Sequence, residues 1–130
     1  MGYPEKWLRG AIEAATNCRT YPVQAPENAV TPYVVYQRTA TSRERTLTNN
    51  AFVPIASFSV WIYSDTYAAG KELSERVRVA VDNFKGEADG VTIERVFLAD
   101  EADGDLVDFA GEGKPTYTVA LQFEIRFREV

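Results

Sequence analysis

The sequence predicts an α+β fold, with two helices packed on a mainly antiparallel sheet of four to five strands. Three observations carry that prediction. Two segments keep apolar residues at helical spacing, and two others alternate apolar with other residues over about a dozen positions, the strand period. Between the first helix and the first strand, Pro22, Pro26 and Pro32 each fix φ and remove a backbone donor, so that stretch cannot be helical. Amphipathic helices need an apolar surface, and the inward faces of the strands supply it.

The elements follow in order. Trp7, Leu8, Ala11, Ile12 and Ala15 form one stripe on a helix from about Pro4 to Thr16, with Pro4 in the first turn and Glu5 near the positive helix end. The proline segment is a stiff extended lead-in to a strand over Tyr33–Ala40, whose Tyr33-Val34-Val35-Tyr36 run suits a pleated, buried surface. Thr41–Asn50 has little apolar content and reads as an exposed loop or the splayed tip of a long hairpin. Val53–Ser64 alternates, with Ala56, Phe58, Val60 and Ile62 on one face and Ser57, Ser59, Trp61 and Tyr63 on the other. Trp61 and Tyr63 therefore cover a surface or meet a neighbouring subunit.

Asp65 or Thr66 is the expected N-cap of the second helix. Leu73, Val77, Ala80, Val81 and Phe84 form its apolar stripe, Gly86 suits its exit, and its charged side reads as solvated. A strand over Val91–Leu98 places Val91, Ile93 and Phe97 one way and Val96 and Leu98 the other. An acidic, glycine-bearing loop, Asp100–Gly113, leads to a last strand, Thr116–Arg128, on which Tyr117, Val119, Leu121, Phe123, Ile125 and Phe127 share a face. There is no internal repeat or linker, so residues 1–130 are read as a single domain.

Composition narrows the function. A net charge of −5 argues against a dedicated or sequence-specific nucleic-acid surface. No long apolar run opens the chain and none of about 18 residues occurs in it, so neither a secretory signal nor a membrane span is expected. Cys18 is the single cysteine; it cannot form an intramolecular disulfide, and it reads as a packing residue near a helix end in a cytosolic protein. The chain has no histidine, which removes Ser-His-Asp, Cys-His and Cys/His zinc sites. Neither a phosphate-binding loop nor a dinucleotide turn is present. No catalytic residue, cofactor or metal is assigned, and the chain is expected not to be an enzyme.

Two loops retain more than one reading. Glu101, Asp103, Asp105 and Glu112 fall at the first, third, fifth and twelfth places of a calcium loop. Leu106 stands where the turn needs glycine, so a solvated hairpin tip is favoured over a cation site. A carboxylate hydrolase would need two acids on rigid elements, and a glycine-bearing loop is a poor place for them. Arg43-Glu44-Arg45 is either a solvated tip, a reach to a neighbour, or a face turned to passing DNA. A basic loop and an acidic loop on one chain suit a head-to-tail contact.

The succession Tyr21-Pro22, Ala25-Pro26, Pro32-Tyr33-Val34-Val35-Tyr36, and then Trp61-Ile62-Tyr63-Ser64-Asp65-Thr66-Tyr67 before an alanine-rich helix start, resembles the tail-completion family. These are the tail-terminator or head–tail joining proteins of long-tailed bacteriophages and prophages. The resemblance runs from about Trp7 to Phe127. It implies a structural virion-assembly protein that caps the tail tube, joins the tail to the head connector, or both. It also implies a homo-oligomeric ring, a hexamer being one candidate, with tail tube protein and head connector (neck) protein as partners. The place implied is the virion tail or neck, after synthesis in the host cytoplasm. On this reading Arg43, Arg45, Trp61, Asp103, Asp105 and Asp108 are candidate contacts with subunits or partners. The alternative is a regulatory module of similar build that binds a small ligand or peptide.

Overall fold

The computed structural model describes residues 3–27, 29–45, 52–88, 90–104 and 116–129, with side chains described over 3–27, 29–42, 54–88, 90–104 and 116–128. Helix α1 spans Pro4–Thr16, as its apolar spacing predicts. It ends where Asn17 turns left-handed at φ 56° and donates its N–H to Glu13 O at 2.8 Å. Helix α2 spans Tyr67–Val81, and Thr66 is its N-cap, its hydroxyl accepting from the Ala69 N–H at 3.1 Å. This helix stops earlier than its pattern suggests. Asp82 turns extended, so Gly86 is not the exit and Phe84 lies beyond the helix. Phe84 still packs on the core through Trp7, with ring centroids 4.7 Å apart.

Among the described residues six strands make one sheet: β1 Arg19–Pro22, β2 Tyr33–Arg45, β3 Phe52–Ser64, β4 Gly86–Ala88, β5 Val91–Asp103 and β6 Tyr117–Glu129, in the order β1-β2-β3-β6-β5-β4. The fold is α+β as expected, with more strands than four to five. The lead-in contributes β1, which pairs parallel to β2, and a short β4 pairs with the start of β5. Both were missed because strands of four and three residues show no alternation.

Both helices lie on one face of the sheet. Their buried Trp7, Leu8, Ile12, Leu73, Val77 and Val81 meet Val34, Phe58, Val60, Ile62, Leu121, Phe123 and Ile125 in one core. Gly70 lets α2 come close: a Cβ there would stand 2.7 Å from Ser64 Oγ, a buried hydroxyl already bound to Thr66 O. Cys18 is buried in this core as a free thiol, the packing role expected of it.

Strand β5 corrects the sequence reading twice. The register slips between Ile93 and Arg95 and again between Leu98 and Asp100, each time adding a residue. The first bulge places Val96 in the core beside Val91 and Ile93 and turns Phe97 out, 48% exposed, on the helix-free face. Strict alternation had paired Phe97 with Val91 and Ile93. The second correction is length: residues 100–103 continue the strand and are not loop. Likewise β2 runs through residues 41–45 and slips once, between Arg38 and Ala40.

Candidate assembly interface

The helix-free face of the sheet carries the first candidate surface. Tyr33 lies opposite Tyr63, and Val35 opposite Trp61, across the β2–β3 ladder. The two tyrosine rings stack with centroids 4.8 Å apart, and Tyr21 of β1 meets Tyr33 edge-on at 6.1 Å. Desolvation by burial pushes the pKa of Tyr33 up, reinforced by the neighbouring Tyr63 and Tyr21, and burial does the same to Tyr63.

Residues 23–27 and 29–31 stand over this aromatic floor as a wall. Val23 N–H donates to Tyr36 O at 2.8 Å, and Gln24 N–H bonds back to Pro22 O at 2.6 Å, forming a γ turn with Val23 at φ 65°. A cis peptide joins Thr31 to Pro32, and the Thr31 hydroxyl donates to the Asp65 carboxylate at the far end of the wall. Between wall and floor is a cavity of about 990 Å³ whose lining includes Pro26, Val30, Tyr33, Val35, Trp61 and Tyr63. Trp61 is thus a half-buried part of a groove floor and does not stand out as a knob. The prolines were the signal for a stiff segment; that it folds back over Trp61 was not legible.

Asp103 anchors the second candidate surface. Tyr67 Oη donates to Asp103 Oδ2 at 3.0 Å, and Lys71 Nζ pairs with Oδ1. Hydrogen bonds from Lys71 and then Tyr67 hold the Asp103 carboxyl below its usual range, and the same contact raises Lys71. The cluster ties the first turns of α2 to the end of β5. Tyr67 and Lys71 were missed as partners, although their i, i+4 spacing at a helix start places them on one face.

The remaining candidates separate. Arg43 and Arg45 stand in β2, opposite Pro54 and Phe52 of β3, and their side chains lie outside the description. Asp105, Asp108 and Glu112 lie outside the described residues, so the calcium-loop reading has only Glu101 and Asp103 in view, both on β5. Among the described residues no group of three or more acidic or cysteine side chains is arranged to hold a metal, and no helix is long and apolar enough to cross a membrane.

A further cationic feature joins the N-terminal helix to the sheet. Arg38 pairs with Glu5 of α1 while its guanidinium lies over the rings of Phe58 and Phe127, at 5.5 and 5.6 Å. This closes the core where β2 leaves it.

Comparison with known proteins gives the family. The model of the family described as "Tail completion protein gp17" matches residues 6–128. Among solved structures, a chain of the "Virion of native gene transfer agent (GTA) particle" is similar with a TM-score of 0.69 at 14% identity, over 89% of this chain and 83% of that one. At that identity the likeness is one of fold. A second solved chain, 14% identical over 97% of this chain and 92% of that one, reaches a TM-score of 0.48 and carries no argument. No curated protein matches the chain. The family match spans both helices and nearly the whole sheet, and the chain belongs to the tail completion protein gp17 family.

Proposed function

We propose that this chain is a structural virion protein that completes a bacteriophage or prophage tail. Copies form a ring on the end of the tail tube, stop its growth, and offer a docking face to the head connector. The observation that carries this reading is the family match over residues 6–128. The mechanism is stoichiometric: contacts form between surfaces, and no bond is made or broken. Head-to-tail contacts close into rings where the rotation between copies allows it. Segments that order on contact do so at an entropic cost offset by the new interface.

Adding the purified protein to polymerised tail tubes tests this reading. Capped tubes of fixed length are expected; tubes that keep growing overturn it. A second reading, a module that binds a small ligand or peptide, is favoured by the aromatic groove under residues 23–27 and 29–31. Inert tubes together with a ligand-dependent rise in melting temperature would select that alternative.

A further inference from the structure

The two outer borders of the sheet are each half covered, at opposite ends. On the β2 border, β1 occupies Tyr33 to Tyr36 and leaves the outer edge of Ala40–Arg45 without a strand partner among the described residues. On the β5 border, β4 occupies Val91 to Ile93. The turn after α2 then occupies the next stretch: Asn83 N–H donates to Val96 O at 3.0 Å, and Leu98 N–H to Asp82 Oδ1 at 3.0 Å. From Ala99 to Asp103 that edge also has no strand partner among the described residues.

The free edges lie at diagonal corners, because β2 and β5 run in opposite directions and each is free in its C-terminal part. Both are solvated in an unusual way for strands. Residues 39–42 and 99–103 are exposed without alternation, and α2 reaches the last of them only through Tyr67 and Lys71 on Asp103. Charge separates them. Ala40–Arg45 carries Arg43, Glu44 and Arg45, whereas Ala99–Asp103 carries Asp100 and Glu101, with Asp103 already paired to Lys71.

The geometry points to a second copy of this chain as the partner of both edges: Ala40–Arg45 of one copy pairs antiparallel with Ala99–Asp103 of the next, continuing the sheet from subunit to subunit. This rests on the ring reading and supplies its contact. A lateral repeat of the sheet places β2 beside the neighbour's β5 in antiparallel sense with the helix-free faces on the same side. Unpaired strand edges are templates for such addition, and opposite charge favours this register over like edges meeting. β1 and β4 block the other corners, so the copies are staggered along the strands, as strands are in a closed barrel. The repeat is heterologous and can close.

The test is disulfide mapping in a Cys18→Ser background, with each variant first confirmed folded by circular dichroism. Ala40 and Ser42, opposite Ser57 and Ile55, and Asp100 and Ala102, opposite Gln122 and Ala120, all lie on the helix-free face. Thr41, opposite Ala56, and Glu101, opposite Leu121, lie on the helix side. The double variants Ala40→Cys/Ala102→Cys and Ser42→Cys/Asp100→Cys, whose members lie opposite each other in one antiparallel register, are expected to give a ladder of linked subunits when oxidised on tail tubes. The mixed-face pair Thr41→Cys/Ala102→Cys is expected to give none. Reversing Arg43 and Arg45 to Glu is expected to lower assembly at least tenfold, and adding Asp100→Arg and Glu101→Arg to restore it. Rings that form with no same-face ladder overturn the edge pairing and leave the ring reading standing. Absence of any oligomer, in solution or on tubes, overturns both.

Discussion

The two faces of the sheet follow different rules. The helix-covered face is continuous and apolar: Phe58, Phe123, Ile62, Ile93, Leu121 and Ile125 are essentially inaccessible to solvent. The helix-free face mixes Tyr33, Trp61 and Tyr63 with Ser59, Thr118, Gln122 and Glu124, and leaves Phe97 half in water. One face holds the fold together, and the other is where a partner can be met. Damage to the first is therefore expected to appear as lost stability, and damage to the second as lost assembly.

Phe123→Ala should show the largest effect, a loss of about 3–5 kcal/mol in chemical denaturation, because a cavity opens among packed neighbours. Trp61→Ala is expected to cost only about 1–2 kcal/mol, since its ring is already partly in water, while reducing tube capping more than its stability change accounts for. Equal losses of stability in the two variants would erase the distinction between the faces.

Gly70→Ala sharpens the comparison from the helix side. Its Cβ would crowd the buried Ser64 hydroxyl at 2.7 Å, with Val119 next at 3.5 Å, and a loss of about 1–3 kcal/mol is expected from the forced shift of α2. Gly10→Ala in α1 meets nothing within 4 Å. It should stabilise by about 0.5–1 kcal/mol through helix propensity.

The helix-free face also contributes a pH dependence. Tyr33 and Tyr63 have raised pKa values when folded, so the native state keeps their protons where the unfolded chain would lose them. Stability then falls as pH rises above the ordinary tyrosine value. Tyrosinate absorbance during alkaline titration should show three late-ionising tyrosines, the third being Tyr36, which burial on the helix-covered face also pushes up, and Tyr63→Phe should weaken the alkaline loss.

Asp103 gives the smallest effect, with the opposite sign. Its lowered pKa contributes stability above the ordinary carboxylate value that is lost as pH falls through the folded one. Asp103→Asn should slightly flatten the acid limb of the melting profile and leave the neutral fold intact.

Much of this division was legible in the residues. Regular alternation identified β3 and β6 because each has one dry face, and the apolar stripes with the Thr66 cap identified both helices. What failed has a common cause. The bulge that adds Glu94 inverts the pattern of β5, so Phe97 appeared to belong to the core. The ends of β2 and β5 are wet on both faces and show no periodicity, so they read as loops. Those strand ends are the corners proposed to join copies. Trp61 and Asp103 were recognisable as candidates, but the wall over Trp61 and the tyrosine–lysine clasp on Asp103 depend on contacts between segments far apart in the chain.

Electron microscopy of particles made without this chain tests the central claim most directly. If the protein completes the tail, the deletion yields overlong or headless tails, and the intact protein supplied in trans restores full particles. Normal tails joined to filled heads in its absence would contradict the account.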